Sequence, residues 1–200
     1  MRGGLKANEA IPAGSPRSLR SLATTCNIIH LKSVGSTNSY ALKLAEKGAS
    51  HGTVVWADEQ TEGRGQFDRK WVSEPGNDLL ASIIVRPKLS AKEASKITLQ
   101  AAEIIRECLN KTYGIKGSDL IVKAPNDLIL QGKKVCGILT ESSSKGKNLE
   151  YAVIGIGINL NSNPNENVPN STSFNRELSR KIEIYEVLLS ISESIVKNIA

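Results

Sequence analysis

At 200 residues and 40% hydrophobic content, the chain fits one globular domain that can bury roughly two-thirds of its unfolded surface. A net charge of +6 suits an anionic small molecule, an acidic protein partner or nucleic acid, but two Phe and four Tyr offer few platforms for stacking bases, so nucleic acid is the weakest of these. Three cysteines without metal-ligand spacing and two histidines argue against a disulfide framework, a zinc site, a His-based triad and a multi-His metal centre. Free thiols point to a reducing compartment, and the expected location is the cytoplasm. No membrane partner is expected, because no stretch approaches the roughly 18 uninterrupted apolar residues of a span.

Residues 1–25, rich in Ala, Ser, Gly and Arg, lack an apolar secretion core and read as a disordered extension with only a weak likeness to a transit peptide. The segment Asn27 to Leu31 predicts a short strand. Ser36, Thr37 and Asn38 then supply capping residues for a helix from Tyr40 to Ala45 that stops at Gly48. A β-branched strand follows from Thr53 to Ala57, and Glu59 to Gly76 holds too many breakers for regular structure. Leu79 to Val85 is continuously apolar, which predicts a strand covered on both faces. Ser90 and Glu93 form a capping-box pattern ahead of the longest helix, whose apolar face runs through Ile97, Ala101, Ile104, Ile105 and Leu109.

Leu120 to Val122 reads as a strand ended by Pro125 and the turn-prone Asn126 and Asp127. Leu128 to Leu130 and Val135 to Leu139 form a hairpin about Gly132. Tyr151 to Ile158 is a buried strand containing Gly155 and Gly157, and glycine there predicts that some group approaches the backbone closely. Residues 160–181 read as loop, and the last twenty as an amphipathic helix through Ile184, Val187, Leu188, Ile191 and Ile195. Mixed strands and helices without strict alternation predict an α+β fold, a mixed sheet with helices mainly on one face.

The chemistry concentrates in two segments. Gln60 to Trp71 combines Gly63 and Gly65, which let backbone N–H groups form an anion-binding concavity, with Arg64 and Arg69, whose guanidinium forks match carboxylate and phosphate oxygens. The segment lacks the Gly-Lys-Ser/Thr ending of a P-loop, and Gly155-Ile156-Gly157 lacks the third glycine and following helix of a dinucleotide fingerprint. In the second segment, Lys123 stands at a strand end before Pro125 and Lys134 begins the next strand, so both ammonium groups are expected to converge on one ligand.

Together, Ser36-Thr37-Asn38, Gln60-Thr61, Gly63-Arg64-Gly65, Arg69-Lys70-Trp71, Lys123, Pro125-Asn126-Asp127, Lys134, Gly137-Ile138-Leu139 and Gly155-Ile156-Gly157-Ile158-Asn159 resemble, in order and spacing, the biotin–protein ligases. The resemblance implies a catalytic domain over residues 26–200, with a fold like that of class II aminoacyl-tRNA synthetases and lipoate ligases. It implies ATP-dependent formation of biotinyl-5′-AMP, then transfer of biotin to a lysine of a biotin carboxyl carrier protein. By resemblance, Arg64, Lys123 and Lys134 are the catalytic cations. Biotin would meet Ser36, Thr37, Asn38, Gln60, Gly63, Arg64, Gly65, Gln66, Lys134, Gly137, Gly155 and Gly157. ATP would meet Arg64, Gln66, Arg69, Trp71, Lys123, Asn126 and Asn159, with Asp127 as the candidate Mg²⁺ ligand. A homodimer is one oligomeric state left open.

Three departures from the family pattern bear on function. The family's Gly-Arg-Gly-Arg has Gln66 at its last position here, a lost charge for which Arg69 and Lys123 are expected to compensate. The usual Trp between the lysine and the proline is Ala124, expected to remove an apolar wall and weaken biotin binding. Neither an N-terminal DNA-binding domain nor a C-terminal β-barrel domain is expected, so direct transcriptional repression is not. The alternatives are a lipoate or octanoate ligase or transferase of the same fold, and a biotin-binding module impaired in catalysis.

Overall fold

The apolar pattern places seven strands in one sheet, and the computed structural model describes residues 26–67, 69–164 and 168–200; the extension expected at residues 1–25 lies outside them. In chain order the elements are β1 (Asn27–Val34), α1 (Thr37–Glu46), β2 (Thr53–Gln60), β3 (Leu79–Val85), a 3₁₀ turn (Ala91–Glu93), α2 (Ala94–Tyr113), β4 (Leu120–Lys123), β5 (Asp127–Leu130), β6 (Lys133–Lys145), β7 (Asn148–Ile158), α3 (Phe174–Leu178) and α4 (Ile184–Asn198). The strand order is β1-β2-β3-β7-β6-β5-β4. β1 and β2 run parallel and every other neighbouring pair is antiparallel, so the sheet is mixed as expected.

Side chains alternate across the sheet, and the two faces carry different loads. On one face, Ile83, Ile154, Ile156 and Ile158 pack with α2 through Ile97, Ala101 and Ile105 and with α4 through Val187, Leu188, Ile191 and Ile195. On the other, α1 presses Ala41 and Ala45 onto Val55, Ile84, Tyr151 and Val153. The two long helices therefore share a face, and α1 covers only part of the opposite one. β3 lies between β2 and β7 under both layers, and all seven of its residues are buried.

Polar groups fix α1 at both ends. Ser36 is its N-cap. Arg86, leaving β3, donates from Nε to the Ala49 carbonyl at 2.9 Å and from Nη2 to the Ala45 carbonyl at 2.7 Å, tying the helix end and the turn after it to the sheet. The capping box ahead of α2 is present, with the Ser90 N–H donating to Glu93 at 3.3 Å.

Two expectations need correction. Residues 160–181 are not all loop: they contain α3, anchored by the fully buried Phe174. A helix of five residues is little more than one turn, too short to show a periodic signal. Glu59 and Gln60 belong to β2, because β1 continues to Val34 and pairs with them.

All three cysteines are free. Burial, assisted by Glu193, pushes the Cys26 thiol up to about 11, and burial raises the fully enclosed Cys136 as well. Thiolates are the reactive form, so native alkylation near pH 8 will label both slowly and denaturation will release them; fast native labelling of Cys136 would contradict this packing. Phe174→Ala is expected to cost about 3–5 kcal/mol, read from the denaturant midpoint, because it opens a cavity in the main core.

Candidate active site

The uncovered half of the α1 face begins with glycine. Gly137 of β6 pairs with Gly157 of β7, and Gly155 pairs with Leu139 on one side and Ser82 on the other. A Cβ on Gly157 would stand 2.5 Å from Cε2 of Trp71, one on Gly137 2.8 Å from its Cζ3, and one on Gly155 inside the amide of Asn38. The close approach predicted from sequence is made by the protein's own side chains. The three glycines form a floor on which Trp71 and Asn38 lie, and all of them line a cavity of about 330 Å³, within the roughly 300–1,000 Å³ of small-ligand sites.

One wall is the N-terminus of α1 with Ser36, Thr37 and Asn38, each buried. Gln60 Oε1 accepts from the Thr37 N–H at 2.8 Å and from its hydroxyl at 3.0 Å. Asn38 Nδ2 donates to the Leu139 carbonyl at 3.1 Å and to Glu141 at 2.8 Å, while its Oδ1 lies 2.7 Å from the Ser82 hydroxyl. The Asn38 amide is thus committed to the scaffold, and its proposed contact with biotin would be by packing.

The opposite wall is the loop from Gly63 to Trp71. It folds on itself: Gly65 N–H donates to the Arg69 carbonyl at 2.7 Å, Trp71 N–H to the Gly63 carbonyl at 2.9 Å, and Arg64 bridges Lys70 in antiparallel fashion. Gly63 does not line the cavity; a Cβ there would meet the Trp71 carbonyl oxygen at 2.5 Å, so its place is to let the loop close. Arg64, Gly65, Gln66 and Arg69 do line it. Arg64 Nη2 donates to Glu141 at 2.7 Å.

The cations of the second segment separate. Lys134 lines the cavity, with its ammonium 2.6 Å from Asp127 Oδ1 and 5.7 Å from the Trp71 ring centroid. Lys123 is exposed and outside the lining, directly across β4 and β5 from Asp127, the partner of Lys134. It lies on β4, the outermost strand, about 4.8 Å beyond β5, and shares the face of Asp127. Ala124 is likewise exposed and outside the lining. Asn126 lines the cavity while its Nδ2 donates to the Ile138 carbonyl at 3.2 Å. Asn159 lines it too, but its amide donates to the Thr172 carbonyl at 3.1 Å, which ties down the following segment.

That segment supplies residues the sequence reading missed. Pro164, Val168 and Ser171 complete the lining, held there by Lys134 N–H donating to the Asn170 carbonyl and Thr172 N–H to the Lys134 carbonyl, each at 2.9 Å. Their Asn/Pro/Ser-rich composition carried only a loop signal. Among the described lining residues Asp127 is the one carboxylate, and no group of three or more His, Cys, Asp or Glu among the described residues could hold a metal alone.

Residues 31–159 match the biotin/lipoate A/B protein ligase family. The chain is 38% identical over 130 residues to the bifunctional ligase/repressor BirA of Bacillus subtilis, covering 65% of this chain and 39% of that protein. It is 40% identical over 121 residues to the biotin–[acetyl-CoA-carboxylase] ligase of Paracoccus denitrificans, covering 60% and 49%. Among solved structures it resembles the biotin protein ligase of Aquifex aeolicus in complex with biotin and ATP, at 33% identity and a TM-score of 0.70, covering 86% of this chain and 69% of that one. The chain spans two-fifths to half the length of these two curated relatives.

Gly157→Ala tests the floor. In a Trp56→Phe background, where Trp71 is the remaining tryptophan, the added Cβ forces the indole off β7 and its emission should shift to the red. Unchanged emission would show that the ring does not rest there.

Proposed function

The chain belongs to the biotin/lipoate A/B protein ligase family, and from that premise we propose that residues 26–200 are the catalytic domain of a biotin–protein ligase. Its substrates are biotin, ATP and a lysine of a biotin carboxyl carrier protein. The observation that carries the reading is the convergence of Arg64, Arg69 and Lys134 on one cavity that is polar at the α1 end and floored by glycine. Three free thiols accord with a cytoplasmic location.

In the first half-reaction an oxygen of the biotin carboxylate attacks the α-phosphorus, and the bond from that phosphorus to the bridging oxygen breaks to release pyrophosphate. In the second, the acceptor amine attacks the carbonyl of the mixed anhydride, loses a proton and expels AMP. The substrate carboxylate is the nucleophile, so what this chain must supply is charge and position. Lys134 would exchange Asp127 for the biotin carboxylate. Arg64 and Arg69, reaching from the loop, would face the phosphate oxygens with Gln66 nearby, while the Gly65 N–H stays on the Arg69 carbonyl. Thr37 and Gln60 would offer the polar end for the biotin ring system.

Asp127 is the residue that would hold Mg²⁺ carried in by the nucleotide, a cation that takes one or two protein carboxylates and draws charge from the phosphates. A single lining carboxylate fits that mode. Arg69 in the lining and Lys123 opposite Asp127 would compensate for the missing charge at Gln66.

The direct test is mass spectrometry of a carrier domain incubated with the protein, ATP, Mg²⁺ and biotin, with lipoate in a parallel arm. Biotin should be added to one lysine; addition of lipoate alone would redirect the substrate. Arg64→Ala should lower the rate about 10²-fold or more, the scale of losing one transition-state donor. Gln66→Arg should slow release of the bound adenylate by adding a further cation beside the phosphate; release at an unchanged rate would show that Arg69 and Lys123 compensate fully.

A further inference from the structure

We infer that Glu141 is a positioning residue for Arg64, an inference that deepens the ligase reading and takes its functional meaning from it. Glu141 is outside the cavity lining and in none of the motifs that mark the family, yet its Oε2 receives two donors from opposite walls: Arg64 Nη2 at 2.7 Å and Asn38 Nδ2 at 2.8 Å.

Its place in the sheet explains why one carboxylate reaches both. On β6 the residues facing the site are Gly137, Leu139 and Glu141, opposite Gly157, Gly155 and Val153. Gly155 leaves room for Asn38, and Val153 is where α1 begins to cover the sheet. Glu141 therefore emerges at the seam between the open floor and the covered half, beside the first limb of the loop.

An exposed ion pair is ordinarily weak because two long side chains must be ordered to make it. Here one of them is already ordered. Asn38 is buried, its amide is fixed by Leu139 and Ser82, and it holds Glu141 before any arginine arrives. Arg64 then closes a charge-assisted bond onto a preset acceptor. One of its five N–H donors is used, and the rest of the fork remains for a ligand. The chain of bonds from Arg64 through Glu141, Asn38, Ser82 and Thr37 to Gln60 joins the groups proposed for the phosphate end to those proposed for the ring end.

Trypsin cleaves after arginine and lysine, so nicking at Arg69 and Lys70 in the native protein reads how often the loop leaves the sheet. Glu141→Gln keeps an acceptor for Asn38 but removes the charge that holds Arg64. It should nick about two- to fivefold faster than wild type, Arg64→Ala should match it, and the double variant should be no faster than either. Additive effects or unchanged nicking would overturn the inference. Arg64 is exposed, so its single variant tests the clasp even if the Glu141 variant lowers the melting temperature. On the reaction, Glu141→Gln should shorten the lifetime of bound biotinyl adenylate by a similar factor, with little change in KM for ATP. A longer lifetime would make Glu141 a competitor for Arg64 and overturn its positioning role. If wild type forms no adenylate, the ligase reading fails, and the nicking comparison still decides whether Glu141 holds the loop.

Discussion

The site depends on a stretch of sheet without side chains. Most strands in a core fill their faces with branched residues, and β7 does so on its helix-facing side with Ile154, Ile156 and Ile158. On the other side it presents Gly155 and Gly157 beside Gly137 of β6, and the missing methyl groups leave the backbone open to direct contact. Glycine within a strand lowers stability. The offset comes from what lies on it: the indole of Trp71 covers two of the glycines and the amide of Asn38 the third. The floor, the α1 N-terminus and the loop are in this sense one packing unit.

Two of the four cations lining the cavity are held by carboxylates. Lys134 lies 2.6 Å from Asp127, and Arg64 lies 2.7 Å from Glu141. Both pairs are partly exposed, where a pair contributes on the order of 1 kcal/mol or less. That weakness suits a ligand site. At Lys134 an incoming carboxylate would displace a partner bound loosely enough to yield, whereas Arg64 would keep Glu141 and offer a ligand the rest of its fork. Arrangements with unpaired cations would bind anions more strongly but would leave like charges to repel one another across a small cavity.

Much of this was legible in the chain because each feature carries a local signal. The apolar period gave α2, and the uninterrupted run from Leu79 to Val85 gave a strand buried on both faces, as all seven residues are. The glycines of β7 announced a close approach, though nothing local could say that Trp71 and Asn38 would make it. What was not legible depends on sheet order. Lys123 and Lys134 are eleven residues apart, and only the order of strands shows that β4 is the outer strand, with β5 between the two lysines. The contribution of Pro164, Val168 and Ser171 is likewise invisible locally, since it arises when the chain after β7 crosses back over the start of β6. Glu141 escaped notice because a polar residue in a long strand is usually a solvated one.

These misses share a physical origin, and it bears on how the site tolerates the charge missing at Gln66. Retention of a charged ligand can rest on the number of cations around it or on the rigidity with which a few are held. The structure favours the second. The loop carries its own backbone bonds between Gly63 and Trp71 and between Gly65 and Arg69, is seated on the floor by Trp71, and is tied to α1 through Asn38. Ordering such a loop only upon binding would draw on the binding energy, roughly 1–2 kcal/mol for each residue fixed. A loop already folded in the free protein avoids much of that loss. The gain for each residue spared is comparable to one screened charge interaction, so a preformed loop would help retain the ligand without the absent guanidinium.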